Sequence, residues 1–498
     1  MLGWLRRAWT RMTGPGREPR LWRARIGVRA RYDAASTTDE NRRHWANADS
    51  LSARAANSPE VRRILRNRAR YEVANNSYAR GIILTLANDC VGTGPRLQML
   101  TPSAEVNRRI EQEFARWSKA INLAEKLRTM RMARAQDGET FAILTSNPKL
   151  PTQIKLDLRL IEADQVSSPG LLENENLVDG ILFDDFGNPA KYYVLRQHPG
   201  DLLWGIQAEY DEVPAESVIH WFRIDRPGQV RGIPEITPAL PLFAQLRRYT
   251  LAVIAAAETA ADFAGILYTD APPGGEAEQA EPFEPIELEQ RALITMPGGW
   301  KMSQLEAEQP STTYAEFKRE ILNEIARCLN MPYNIAACNS SSYNYASGRL
   351  DHQTYYKSLR VDQASMEAVV LDRILNAWLE EAVLIPEFWP EPIGSLPEWP
   401  HQWFWDGHEH VDPTKEASAQ AIRLANHTTT LAQEYARCGQ DWEEALHQRA
   451  KELALMRELG LTQGQVTPVD ETGEEEDEEE GGDAATEAQK RRESRGVR

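Results

Sequence analysis

The stretch Thr313–Val383 reads TYAEFKREILNEIARCLN, then MPYNIAACNSSSYNYASG, then RLDHQTYYKSLRVDQASMEAVVLDRILNAWLEEAV. Thr313 and Glu316 have the spacing of a capping box, which predicts that a helix begins there. Asn330-Met331-Pro332 ends this helix, because the residue before a proline avoids the α region. From Met331 to Gly348 there is no charged side chain. The stretch therefore predicts a helix, an uncharged loop and a second helix.

Both helices carry a broad apolar face. Residues three and four positions apart share one side of a helix, and the apolar positions follow that spacing. They are Phe317, Ile321, Ile325 and Leu329 in the first helix, then Met366, Val370, Ile374 and Trp378 beside Leu371, Leu375, Leu379 and Val383 in the second. We expect these faces to be buried and the polar loop to project from them. The pattern alone is also typical of a plain helical hairpin with a surface loop.

The composition bounds the class of protein. A chain of 498 residues is expected to form several domains, and 42% hydrophobic with 26% charged residues is a globular composition. No run approaches the roughly 18 consecutive apolar residues of a membrane span, and Met1–Met12 lacks the apolar segment of a signal peptide. Cys90, Cys328, Cys338 and Cys438 are widely scattered. The scattered cysteines predict a reducing compartment. The absence of a long apolar run predicts no membrane partner.

Charge is distributed unevenly along the chain. The formal net charge is −17, yet residues 1–31 form a basic segment, which we expect to be a flexible arm. Residues 461–498 contain the acidic run Glu474–Glu480, which predicts a disordered tail because like charges repel. Tight binding of nucleic acid requires Lys and Arg to neutralise phosphates. An acidic protein such as this one could therefore surround nucleic acid without holding it tightly.

The remaining periodicity predicts an α+β fold that is mainly α. Helices are expected over Pro59–Ala87, from Thr101-Pro102 through Val106, Ile110, Phe114, Trp117 and Ile121, over Pro238–Ala264, and over Ala417–Leu459. Strands are expected at Thr140–Leu144, Ile154–Leu160, Ile181–Phe183, Lys191–Leu195, Ser217–Phe222 and Ala292–Met296. The helix Pro238–Ala264 is rich in alanine. Since small side chains let helix axes approach closely, we expect it to have neighbours on several sides.

A search for catalytic and metal-binding patterns identifies no site. In His408-Glu409-His410 the histidines are two residues apart, whereas a zincin helix requires them four apart, so a solvated turn is the favoured interpretation. The sequence contains neither a Walker A loop nor a Gly-x-Ser-x-Gly elbow. We therefore predict no catalytic residue, no metal and no cofactor.

Several local motifs, in their order and spacing, resemble the lambda family of phage portal proteins. One is Arg226-Pro227-Gly228-Gln229 followed by Arg231-Gly232-x-Pro234, and a second is Ser342-Tyr343-Asn344-Tyr345-Ala346-Ser347-Gly348-Arg349 after Pro332. Val213-Pro214-Ala215 and the segment Gly180–Asp185 also resemble that family. The resemblance extends from about Tyr32 to Leu459.

The resemblance implies a portal-type fold divided into named parts. A wing of helices and β segments would cover 32–225, and a linker with a stem helix 226–269. A clip would cover 270–311, a second stem helix 312–330 and a tunnel loop 331–348. A long helix would cover 349–385 and crown helices 386–460. Together these parts would assemble as a ring.

The resemblance also implies a function. The ring, a dodecamer in that family, would occupy one capsid vertex of a virion assembled in the bacterial host cytoplasm. It would form a channel for packaging and ejecting double-stranded DNA without sequence specificity. Its other partners would be the large subunit of terminase, the major capsid or scaffold protein and a head-completion protein. The residues implied at the channel are Asn339, Ser340, Ser341, Ser342, Tyr343, Asn344, Tyr345 and Arg349.

Three other hypotheses remain open on the sequence. A capsid or scaffold protein without a channel would form shells or sheets rather than closed rings. An enzyme would require a pocket with converging polar groups. A nucleic-acid binder would use the basic arm 1–31, and would lose binding when that arm is removed.

Overall fold

In the computed structural model, the described residues are 35–170, 176–201, 209–261, 265–269, 300–304, 314–341, 343–386, 388–389, 399–407 and 413–461. Over these ranges the fold is α+β and mainly helical, which confirms the predicted class. The expected basic arm, most of the expected clip and all but the first residue of the expected tail lie outside the described residues. So do Thr313, His408, Glu409, His410 and the predicted strand Ala292–Met296.

The described elements alternate between helices and short strands. The helices are α1 (Ala53–Ala56), α2 (Pro59–Asn75), α3 (Ser77–Val91), α4 (Ala104–Ala120), α5 (Leu123–Asp137), α6 (Leu240–Ala261), α7 (Tyr314–Arg327), α8 (Tyr333–Ala337), α9 (Tyr345–Met366), α10 (Asp372–Val383), α11 (Pro413–Ala425), α12 (Leu431–Arg437) and α13 (Trp442–Glu458). The strands are β1 (Arg96–Met99), β2 (Glu139–Ser146), β3 (Leu156–Ile161), β4 (Leu177–Val178), β5 (Ile181–Phe183), β6 (Pro189–Leu195), β7 (Tyr210–Pro214), β8 (Val218–Phe222), β9 (Gly265–Thr269), β10 (Trp300–Gln304) and β11 (His401–Phe404). None of the described helices is both long and apolar enough to cross a bilayer.

The chain divides into two compact units. The first contains the described residues up to Arg62 together with Ile224–Val230. Inside it, Ser52 caps α1 by accepting a hydrogen bond from the amide of Ala55, and the Arg226 guanidinium donates to the carbonyl of Leu51 at 3.0 Å. The second unit contains Arg63–Arg223 and everything from Arg231 onward.

The core of the second unit lies between α3, α4, α5, α9 and α10. All five predicted apolar residues of α4 are buried, which confirms that face: Val106, Ile110, Phe114, Trp117 and Ile121. The predicted start of this helix was wrong. Ser103 is the N-cap and accepts a hydrogen bond from the amide of Val106, while the Thr101 hydroxyl bonds to Asn107. Thr101 and Pro102 therefore precede the helix.

Two larger antiparallel sheets complete the unit: the first contributes to the helical core, and the second packs against the first sheet. One has the strand order β3-β2-β8 and the other β4-β5-β6-β7. The five predicted strands that lie within the described residues are confirmed with end shifts of at most two residues, whereas β1, β4, β7, β9, β10 and β11 were not predicted. In β1–β11, Arg96 pairs with Phe404 across three hundred residues of sequence, a separation that local periodicity cannot report.

The helix α2 differs most from its prediction. The sequence predicted one helix from Pro59 to Ala87, whereas Asn76 interrupts it and caps α3. Val61 and Ile64, predicted as apolar positions of the helix, are 39% and 45% exposed, while Arg66 is 4% exposed. The arginine is buried because carboxylates of other elements meet it, and a periodicity argument that counts only apolar residues misses such a face.

The predicted second helix is longer than expected. It begins at Tyr345 rather than Arg349, passes through a π-helical turn at Glu367–Leu371 and continues as α10. Of the apolar residues predicted for both long helices, most are buried, but Phe317 is 49% and Val383 56% exposed. The region Ala417–Leu459, predicted to be helical, contains three helices, α11 to α13.

Candidate functional site: the loop between the long helices and its support

The predicted loop 331–348 is mostly not a loop. Residues Tyr333–Ala337 form the short helix α8, and α9 has begun by Tyr345. The prediction of a loop over all of 331–348 was wrong. It rested on the absence of charge, and uncharged residues such as Ile335 and Ala336 form helices readily. Residues 338–344, between α8 and α9, are called the neutral loop.

Local hydrogen bonds fix both ends of the neutral loop. The amide of Asn339 donates to the carbonyl of Asn334 at 3.0 Å, and the Asn334 side chain bonds to His352 Nε2 of α9 at 2.8 Å. At the other end, the Asn344 side chain accepts from the amide of Ser347 at 2.8 Å and so caps α9. The loop is therefore held at the point where α8 and α9 meet.

The channel residues implied by the resemblance have different roles in this geometry. Asn339 accepts from the amide of Ser341 at 3.0 Å, so that Asn339 and Asn344 both stabilise backbone. Ser340 and Ser341 are exposed, and Tyr343 is half-buried. Arg349 is exposed on the first turns of α9. Ser342 and the side chain of Tyr345 lie outside the described residues.

The motif residues at 226–229 stabilise a turn within the first unit. The Gln229 side-chain carbonyl accepts from the amides of Asp225 at 3.0 Å and Arg226 at 3.3 Å. Pro227 and Gly228 lie between Arg226 and Gln229 in the chain. Gly228 has a φ of 79°, a left-handed conformation that glycine adopts without strain. These residues thus form a closed turn.

Arg231 is the centre of a buried ion network. Its guanidinium forms two bonds of 2.8 Å to the carboxylate of Glu139 and also donates to the carbonyls of Ala163, Val166 and Asp179. Both side chains are almost fully buried. The two parallel bonds are the bidentate arrangement that makes arginine–carboxylate pairs strong.

Glu139 is also surrounded by further donors. His220 Nε2 lies 3.1 Å, the Arg66 guanidinium 3.2 Å and the amide of Gly232 3.0 Å from its carboxylate oxygens. Burial alone would raise the pKa of Glu139. The charge of Arg231 and the bond from His220 outweigh burial and hold that pKa well below its usual value.

Two glycines allow these elements to approach. A Cβ added to Gly232 would lie 2.0 Å from the carbonyl oxygen of Gly138, and a Cβ added to Gly138 would lie 2.4 Å from the carbonyl carbon of Ile233. Pro234 is buried next to this contact, and the following amide, of Glu235, donates to the carbonyl of Ala135 at 3.0 Å. The motif Arg231-Gly232-x-Pro234 is therefore a structural junction.

A second buried network links this junction to α9. In α5, Arg131 and Arg134 both form ion pairs with Glu235, at 3.0 and 2.9 Å, and with Asp362 of α9, at 2.7 and 3.0 Å. Burial would raise the pKa of Glu235, but the two arginines lower it. The apolar spacing of the sequence did not predict α5, because the buried Arg131 and Arg134 interrupt the apolar pattern of the helix.

One cluster has the composition of a metal site. Ligand atoms of Glu162, Asp164 and His198 lie within 4.8 Å of one another. However, Arg66 and Arg70 bond to the Asp164 carboxylate at 2.5 and 2.8 Å, and Arg70 bonds to Glu162 at 3.0 Å. Arginine cations already neutralise these carboxylates, so this cluster is an ion-pair network.

Comparisons with known proteins identify one family. The profile described as "Phage portal protein, lambda family" matches residues 39–363. A probable portal protein of Halomonas phage phiHAP-1 is 27% identical, over 80% of this chain and 81% of that protein. Portal protein B of Escherichia phage lambda is 23% identical, over 78% of this chain and 83% of that protein. A chain in the neck of an empty GTA particle has a TM-score of 0.47 at 13% identity, covering 74% of this chain and 92% of that one.

The glycine contact gives a first prediction. Gly232→Ala should lower the free energy of unfolding by about 1–3 kcal/mol, because the new methyl group would overlap a backbone carbonyl that cannot turn away. Gly81→Ala is the matched control, since a Cβ there meets nothing within 4 Å. That control should be neutral or stabilising by about 0.5–1 kcal/mol. If urea denaturation gave the same free energy of unfolding for Gly232→Ala and Gly81→Ala, the close contact at Gly232 would be contradicted.

The buried network gives a second prediction. Glu139→Gln should destabilise the protein by about 3–5 kcal/mol at neutral pH, because Arg231 is left buried without its counter-charge. The pKa of Glu139 is lower in the folded than in the unfolded state, so its stabilisation is present above about pH 4.3 and is lost as the pH falls.

The difference in unfolding free energy between wild type and Glu139→Gln should therefore shrink below about pH 5. The exposed residue Glu458 supplies the control: Glu458→Gln should stay within about 0.5 kcal/mol of wild type. A difference between wild type and Glu139→Gln that stays constant down to pH 3 would disprove the role of the charge.

Proposed function

Because this chain belongs to the lambda family of phage portal proteins, we propose that it forms a ring at one vertex of a phage capsid. The ring, a dodecamer, would enclose a channel through which double-stranded DNA is packaged and later ejected. The supporting observation is the family match over residues 39–363, which contains α6, α7, the neutral loop and most of α9.

The faces that one copy leaves exposed support assembly. In the second half of α6, Leu251 and Ile254 are 58% and 48% exposed, and Phe317 of α7 is 49% exposed. Several alanines of α6 accompany them, and small side chains permit close helix packing. Large apolar side chains on two adjacent helices are typical of a surface that a neighbouring copy covers. We assign α6 and α7 as the stem.

The neutral loop suits a passage for DNA. A surface that neutralises phosphates binds DNA tightly and in a salt-dependent way, whereas DNA in a channel must slide. Ser340 and Ser341 offer exposed hydroxyl groups without charge. We therefore propose that residues 338–344 face the DNA as the tunnel loop and that Arg349 lies at its base.

The other parts and partners follow the same family pattern. Strands β9 and β10 pair so that Thr269 lies opposite Trp300. The two ends of the segment that connects these strands are therefore adjacent. We propose that this excursion is the clip, which docks the large subunit of terminase and later a head-completion protein. The wing and crown would contact the capsid or scaffold protein, in a virion assembled in the host cytoplasm. The role would be structural rather than enzymatic.

Electron microscopy of the purified protein tests this function. We expect negatively stained particles to be closed rings with a central hole at least as wide as a DNA duplex. A capsid or scaffold protein without a channel would instead give shells or sheets. A protein that stays monomeric at high concentration, with α6 packed only against its own chain, would refute the proposal.

Added charge in the neutral loop tests the sliding argument. The double variant Ser340→Lys/Ser341→Lys should keep ring assembly but bind DNA more tightly and package less of it. The logarithm of the binding constant should depend more steeply on the logarithm of salt, by about 0.9 for each phosphate neutralised. Asn344 is not a suitable position, because replacing an N-cap costs about 1 kcal/mol by itself.

The matched control is Ser340→Gln/Ser341→Gln, which adds length without charge. DNase-protected DNA per capsid is the measurement for both variants. If the lysine variant packages as much DNA as the glutamine variant, the loop does not face the DNA.

A further inference from the structure

An exposed stripe runs along the outer side of α9. Leu350, Thr354, Lys357 and Val361 are all exposed, and Leu350 and Val361 are 67% and 65% accessible. They follow one another at steps of four, three and four residues, so they share one helix face. The opposite side of α9 holds Tyr355 and Leu359, which are fully buried. The stripe thus carries two large apolar side chains that none of the described residues covers.

A second stripe lies on α7. Phe317, Ile321, Glu324 and Cys328 follow at the same steps of four, three and four residues. All four line an open groove of about 740 Å³, whose other side includes Pro238. Phe317 is half-exposed at the groove, although it contacts the Tyr249 ring at a centroid distance of 4.7 Å.

The two stripes are complementary in length and charge. Each spans twelve residues, which is eleven helical steps or about 16 Å of helix. Lys357 occupies the step in α9 that Glu324 occupies in α7. Arg349 and Glu316 each precede the first apolar residue of their stripe. No described residue forms an ion pair with any of these four charged groups, and all four are exposed.

We propose that the groove on α7 of one copy receives the outer stripe of α9 from the neighbouring copy. Lys357 of each copy would then meet Glu324 of the next, and Arg349 would meet Glu316. The inference rests on the proposed ring, for which it names the contact. Because the two patches differ, the contact is heterologous, and a heterologous contact forms a ring when the rotation between neighbouring copies closes. Two exposed aliphatic side chains favour a protein partner over DNA at this stripe, since phosphates would leave them uncovered.

Charge reversal with mixing tests the contact. Glu324→Lys and Lys357→Glu should each raise the protein concentration for half-assembly at least about tenfold, because like charges then face each other across the contact. The double variant in one chain should assemble as wild type does. An equimolar mixture of the two single variants should also assemble, since alternating copies restore every Glu–Lys pair.

The mixture distinguishes contacts between copies from contacts within one. A pair inside a single copy would be rescued in the double variant but not in the mixture, which would overturn the proposal. Lys149→Glu, on an exposed turn, is the control and should leave assembly unchanged. Mass photometry measures the ring fraction, and circular dichroism checks that each variant is folded.

The outcome separates this contact from the proposed function. If both single variants form rings at the wild-type concentration, the contact is wrong and the ring stands. If wild type itself forms no ring, the proposed function fails first and the contact fails with it.

Discussion

The buried ion pair between Arg231 and Glu139 is the interaction on which the second unit depends. A carboxylate without solvent is stable only when donors surround it, and here Arg231, Arg66, His220 and the amide of Gly232 do so. These donors come from different elements: the segment before α6, the helix α2 and the strand β8. The Glu139 carboxylate at the start of β2 therefore connects β2 to β8, to α2 and to the segment before α6.

The second network extends this constraint to the long helices. Arg131 and Arg134 bridge Glu235, just before α6, to Asp362 in the middle of α9. Further contacts hold α9 along its length: Tyr355 donates to Asp89 at 2.9 Å, and Trp221 donates to Ser365 at 3.0 Å. Since α9 begins at the neutral loop, its position determines where the loop projects. The buried ion pairs thus position α9, and α9 in turn positions the neutral loop.

This division of roles explains where charge occurs. Inside the unit, arginines and carboxylates are paired and buried, so they specify geometry. On the neutral loop, charge is absent where DNA is proposed to pass. On α7 and α9, exposed charges accompany exposed apolar side chains, as at the rim of an interface. The described residues of one copy leave these faces uncovered, and assembly is the proposed means of covering them.

The sequence determined the features that depend on neighbouring residues. The apolar face of α4, the apolar rows of α9 and α10 and most strands of the two sheets follow from residue spacing, and the motifs around Arg231 indicated the family. Tertiary structure alone decided two other features: the buried arginines of α2 and α5, and the pairing of β1 with β11. The physical reason is that a buried charge is tolerated only because of partners distant in sequence. No periodicity in the chain can show that Arg131 will meet Asp362.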